Sequence, residues 1–131
     1  MTTLDSVDQG FVAAPHPSVY RVLADVQAYP VWWPGAEVRS SGEDLRFRLP
    51  GGPLAPAVAR GHREGVGLTL RLGSPYSGTL EWYLEPFEEG TVVNSILHVD
   101  LPGGPRRSAR RLRGLRVEIH RAMAALREHL G

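Results

Sequence analysis

The 131-residue chain is 42% hydrophobic and carries a formal charge of +1, which suits one domain, residues 1–131, built around one core. It has no cysteine and all 15 of its basic residues are arginine, which excludes disulfides, thiolate catalysis, cysteine-based metal sites, lysine Schiff bases and the lysine of a phosphate loop. No apolar run approaches the length of a membrane span and no charged-then-apolar leader opens the chain, so a soluble cytoplasmic protein is the expectation.

In chain order, residues 6–12 read as a strand, stopped by the two prolines of Ala13-Ala-Pro-His-Pro17. Pro17 suits a first helical turn. From Ser18 the apolar positions Val19, Val22, Leu23 and Val26 keep helical spacing, and Pro30 is expected to end that helix before a second short one. Residues 37–41, 44–49, 57–63, 67–72, 79–84 and 91–100 alternate between apolar and polar with glycine and proline between them, the pattern of antiparallel strands and hairpins. Residues 50–56, Pro-Gly-Gly-Pro-Leu-Ala-Pro, read as a long turn. After Pro105 the apolar positions Leu112, Leu115, Ile119, Met123, Leu126 and Leu130 recur at steps of three and four, which predicts one long helix with one apolar stripe.

Charge is unevenly spread. Residues 1–105 hold seven Arg against 12 Asp and Glu, whereas residues 106–131 hold eight against two. Arg106, Arg107, Arg110, Arg111, Arg113 and Arg116 are dense enough to raise nucleic-acid binding. With no zinc-finger spacing or RNA-binding aromatic signature beside them, a solvated helix face is the expectation, and no nucleic-acid partner.

One strand, two short helices, about six antiparallel strands and a long closing helix make an α+β chain. This order, with Val12-Ala-Ala-Pro, Val19-Tyr-Arg-Val-Leu-Ala-Asp, Tyr29-Pro-Val-Trp-Trp-Pro34, the hairpin Leu84-Glu-Pro-Phe-Glu-Glu-Gly-Thr91 and the end Leu126-Arg-Glu-His-Leu130, resembles the START-like (SRPBCC) superfamily. Within it, the resemblance is to the polyketide cyclase/dehydrase and lipid-transport branch. The resemblance implies a helix-grip fold, in which a curved antiparallel sheet of about seven strands wraps around the C-terminal helix and leaves a ligand cavity between them. Such a likeness gives a place for function and not the function itself.

Period-two alternation predicts which side chains face that helix. Leu45, Phe47, Leu49, Ala57, Ala59, Gly61, Leu68, Leu70, Leu72, Leu80, Trp82, Leu84, Val93, Ser95, Leu97 and Val99 fall on one face. Arg46, Arg48, Arg60, His62, Glu64, Thr69, Arg71, Thr79, Glu81, Tyr83, Glu85, Asn94 and His98 fall on the other, toward water. The expected cavity is therefore apolar, with Ser95 and the Trp82 indole N–H as its polar handles. Its expected lining is Trp32, Trp33, Phe47, Leu70, Trp82, Ser95, Leu97, Leu115, Ile119 and Met123. Adjacent helical positions diverge by roughly 100°, so Trp32 is expected to plug the core and Trp33 to face the cavity mouth or the surface.

The expectation for function is binding of a small hydrophobic ligand, lipid, polyketide-like or aromatic, by a monomer or weak homodimer without a cofactor or metal. The alternative is a cyclase, aromatase or dehydratase folding a poly-ketone chain in the same cavity, with Ser95, Tyr76, Arg71 and His62 as candidate catalytic groups. No nucleophile elbow, dinucleotide glycine string or zinc-ligand spacing supports another chemistry.

Overall fold

A computed structural model describes residues 2–63 and 65–130, with the side chains of residues 62 and 63 outside the described set. The chain runs β1 (Thr2–Val12), α1 (His16–Ala24), a 3-10 turn (Val26–Ala28), α2 (Tyr29–Trp32), β2 (Glu37–Ser41), β3 (Asp44–Arg48), β4 (Leu54–Arg63), β5 (Gly67–Leu72), β6 (Gly78–Phe87), β7 (Gly90–Leu101) and α3 (Pro105–Leu130). One seven-stranded antiparallel sheet has the order β1-β7-β6-β5-β4-β3-β2. Strands β2 to β7 form a meander of sequential hairpins. Only β1 crosses from one sheet edge to the other, and α1 and α2 carry that crossing. The apolar stripe of α3 closes the inner face, packing against β1, β7 and α2.

Most of the alternation holds. Phe47, Leu49, Ala57, Leu68, Leu70, Leu72, Leu80, Trp82, Leu84, Val93, Ser95, Leu97 and Val99 are all buried, with Leu115, Ile119, Met123 and Leu126 of α3 among the buried side chains. Each large apolar side chain so covered contributes about 1.5–3 kcal/mol relative to exposure. Ala59 and Gly61 depart from the buried set and are exposed: Ala59 borders an open groove with Ala24 and Val26, and Gly61 abuts the Tyr20 hydroxyl just before a register shift in β4. Asn94 departs from the expected water face. It is buried between its cross-strand neighbours Gln9 and Tyr83, accepting from Gln9 Nε2 at 2.6 Å and donating to Glu85 Oε1 at 2.9 Å.

Several boundaries differ from the sequence reading, among them the end of β6 at Phe87, three residues past the expected Leu84. Strand β1 begins at Thr2, because Thr2 to Asp5 pair with the far end of β7. Strand β4 begins at Leu54 despite Pro56: the Pro56 carbonyl accepts the Gly73 N–H at 2.8 Å, beyond the last residue of β5, so the missing N–H of Pro56 falls where the β5 ladder has ended. Helix α1 ends at Ala24, and Pro30 opens α2 at its first turn instead of ending a helix.

Trp33 also corrects its expectation. Helical spacing would turn it away from Trp32, but the backbone leaves the helix at Trp33 with φ −99° and ψ 101°, so the 100° step no longer applies. Both indoles turn inward, Trp33 at 0% exposure. Among the described residues no helix is long and apolar enough to cross a membrane.

Candidate ligand-binding site

A cavity of about 450 Å³ opens where the first half of α3 passes over two loops. One wall is the turn of residues 50–53 between β3 and β4. Another is Pro75 and Tyr76, from the loop between β5 and β6. Leu101 and Pro102 at the end of β7 make the third, and Arg111, Gly114, Leu115 and Glu118 of α3 make the fourth. Four prolines shape these loops: ring closure fixes φ and stiffens the walls before any ligand arrives. Gly51 turns the chain with φ +77°, and Gly52 leaves room for Tyr76, because a Cβ there would sit 2.0 Å from the phenolic oxygen.

Tyr76 is 5% exposed. Burial pushes its phenol up from its ordinary value, and the guanidinium groups of Arg111 and Arg48 act against that rise. The phenol is therefore a protonated hydrogen-bond donor at neutral pH. Glu118, the one carboxylate in the lining, accepts from Arg121 Nη1 at 2.9 Å.

Beneath this mouth the expected cavity lining is packed. Trp32 and Trp33 stack with ring centres 5.9 Å apart, Trp33 meets Trp82 at 6.2 Å and Phe47 at 5.9 Å, and Tyr29 meets Trp32 at 5.1 Å. Leu70, Leu97, Ile119 and Met123 are buried with them, and of the expected lining only Leu115 borders the cavity itself. Tyr29 donates its hydroxyl to the Leu23 carbonyl at 2.6 Å, and burial raises its pKa despite the nearby Trp82 indole. Among the described residues, the indole nitrogens of Trp32 and Trp33 and the Ser95 hydroxyl are buried with no hydrogen-bond partner.

The three catalytic candidates whose side chains are described do not converge. Tyr76 lies at the mouth, and Ser95 lies deep on the inner face opposite Trp82. Arg71 is exposed on the outer face of β5, in register with Thr79 and hence His98, so the sheet separates it from Ser95. The His62 side chain lies outside the described residues.

A polar cluster on the inner face of β1 went unread in the sequence. Asp8, whose side chain is 3% exposed, accepts from Ser6 Oγ at 3.0 Å and from Arg116 Nη2 at 3.1 Å, and His120 Nε2 lies 2.8 Å from Asp8 Oδ1. Burial pushes this carboxyl up, but the bonds from Arg116, Ser6 and His120 outweigh that effect and hold it below its ordinary value. The available signal was alternation on β1, which places Ser6 and Asp8 on the face of Val12, together with the i, i+4 spacing of Arg116 and His120.

The fold is START-like. No protein-family model matches the sequence, and no curated protein does. Solved structures do match over nearly the whole chain. A START superfamily protein from Mycobacterium smegmatis is similar at TM-score 0.70 and 17% identity, covering 98% of this chain and 96% of that one. The di-domain ARO/CYC StfQ from the steffimycin biosynthetic pathway is similar at TM-score 0.65 and 17% identity, with 97% of this chain matching 52% of that protein. The Aha1 dimer from Colwellia psychrerythraea is similar at TM-score 0.67 and 16% identity over 100% of both chains. At these identities the likeness establishes the fold.

Proposed function

We propose that this protein binds a small hydrophobic ligand, lipid, polyketide-like or aromatic, at the cavity between the loops and α3. The observation that carries this reading is the composition of that cavity. Pro50, Pro53, Pro75, Leu101, Pro102 and Leu115 supply apolar walls, while Tyr76 and Arg111 supply a few placed polar groups. The START-like resemblance implies a ligand between the sheet and the closing helix, where the expected lining is packed, so the reading rests on the loop-side cavity; it is of a cytoplasmic carrier acting as a monomer or weak homodimer. Native mass spectrometry of the purified protein, followed by titration with a lipid and aromatic panel, tests it. A co-purified or titratable apolar ligand that shifts amide signals of Tyr76, Leu101 and Leu115 is the expected result. A cavity that takes up none of the panel overturns the reading.

A second reading rests on the Tyr76 environment and on the similarity to an ARO/CYC domain. A phenol kept protonated by burial, with a guanidinium beside it, suits proton donation to a ketone oxygen while the cation stabilises developing enolate charge. The protein would then be a cyclase, aromatase or dehydratase for a poly-ketone chain, with Tyr76 and Arg111 at the reacting end. In this reading Ser95 and Arg71 have separate places and neither reaches the other. Incubation with a poly-ketone substrate is expected to give a product profile altered by Tyr76→Phe; a profile identical to the enzyme-free control removes the reading.

A further inference from the structure

We propose that the ligand taken at this cavity is an anionic amphiphile, with its apolar body against Leu101, Pro102 and Leu115 and its carboxylate or phosphate end at Arg111 and Tyr76. This inference rests on the ligand-binding reading above and names the chemistry of its ligand.

The charge balance of the cavity is the first argument. Two ionisable α3 side chains of opposite sign line it, Arg111 and Glu118. Glu118 is already engaged by Arg121. Among the described residues no carboxylate pairs with Arg111, which is half-buried beside apolar loops. A guanidinium drawn partly out of water gains most from an oxyanion, and its fork of donors matches the two oxygens of a carboxylate or phosphate.

The second argument is the phenol. Gly52 gives the Tyr76 ring its place in the cavity wall, and both Arg111 and Arg48 are near enough to act on its ionisation. Arg48 is itself paired with Glu37 at 3.3 Å, so the mouth offers a neutral O–H donor beside one guanidinium that no carboxylate pairs with among the described residues, that of Arg111. That arrangement holds an anion and rejects a cation.

The third argument explains a feature that is unfavourable by itself. Helix α3 has no acidic residue in its first turn and begins with exposed Arg106, Arg107 and Arg110. Cations in the first turn of a helix oppose its dipole. On the turns that lead to Arg111 they raise the positive potential at the mouth, which increases the encounter rate of an anion.

The test titrates the full chain with decanoate, decyl phosphate and decanol, three ligands sharing one tail. The two anions are expected to bind about tenfold or more tightly than decanol, the margin of one charge-assisted contact. Arg111→Gln should bring that ratio close to one, and Arg111→Lys should restore part of it. Arg113→Gln, which removes the same charge from an exposed position outside the cavity, should keep the preference. Circular dichroism checks that each variant folds. A carboxylate preference over phosphate identifies a free acid as the ligand class, and the reverse identifies a phosphorylated lipid or metabolite. Decanol binding as tightly as decanoate and decyl phosphate overturns the inference while leaving hydrophobic binding intact, and so does a preference that survives Arg111→Gln. Failure of all three to bind, decanol included, overturns the inference, and the lipid and aromatic panel then decides the ligand-binding reading separately.

Discussion

The His120 imidazole lies 2.8 Å from the Asp8 carboxylate, tying the closing helix to the edge strand across 112 residues of sequence. Arg116, one helical turn earlier, reaches the same oxygen. The carboxylate is buried whereas both of its partners on the helix keep about half their side-chain surface in water, so the helix brings the Arg116 charge to the strand without burying it completely. Because Asp8 stands directly opposite Ser95, this clasp also fixes the polar end of the inner face.

Asp8→Asn is expected to cost about 1–3 kcal/mol, the loss of charge-assisted bonds to a buried acceptor. The pH dependence follows from the lowered carboxyl pKa. In the acid range the folded protein binds fewer protons at Asp8 than the unfolded chain, whose carboxyl titrates near 3.8. The stabilisation is therefore fully present above that value and is lost as pH falls through the lower folded value. Urea midpoints followed from about pH 7 down through pH 3 should show a steeper acid loss in the parent than in Asp8→Asn. Parallel curves would refute a role for this carboxyl.

On the outer face, His98 Nδ1 bonds to the Asp5 carboxylate opposite it on β1. That bond, and then the charges of Asp5 and Asp100, raise the imidazole pKa above 6.5. The sign is the reverse of the Asp8 case: any contribution to stability is present below 6.5 and is lost as pH rises through the raised value. NMR titration of the ring protons should place His98 above an ordinary histidine, and Asp5→Asn should bring it down. The pair is exposed to solvent, so added salt should diminish the difference.

Val31 and Trp33 should respond oppositely although one residue separates them. Trp33→Ala removes a fully buried indole that touches Tyr29, Trp32, Phe47 and Trp82, an expected loss of about 3–5 kcal/mol. Val31 is 74% exposed, and Val31→Ser should stay within about 0.5 kcal/mol of the parent. Denaturant unfolding of the two variants measures both.

Two glycine substitutions separate a tight approach from an open one. A Cβ on Gly78 would sit 2.0 Å from the His98 carbonyl and 2.6 Å from Val99 Cα; both are backbone atoms of a central strand, so Gly78→Ala is expected to cost about 1–3 kcal/mol or more. A Cβ on Gly114, inside α3, meets nothing within 4 Å. Gly114→Ala should stabilise the helix by about 0.5–1 kcal/mol while narrowing the cavity that Gly114 lines. Thermal unfolding and ligand titration of the same protein read the two effects independently.

Local sequence determined the elements of this protein. Period-two runs from Asp44 to Asp100 and the three-and-four spacing from Leu112 to Leu130 are backbone periodicities, so the meander, the long helix and most of the buried face could be read from them. The paired tryptophans of the segment 29–34 marked the fold for the same reason, since large aromatics stay where a core needs area. Tertiary structure decided what depends on chain segments meeting. Trp33 turned inward because the helix stopped beneath it, a matter of one residue's dihedral angles. Asp8, Arg116 and His120 met because β1 pairs with β7 under α3, and Tyr76 met Arg111 because a loop folds against the first turns of that helix. Periodicity is a property of neighbouring residues, whereas a site is a property of the contacts between elements far apart in the chain, and only the packed sheet and helix supply those.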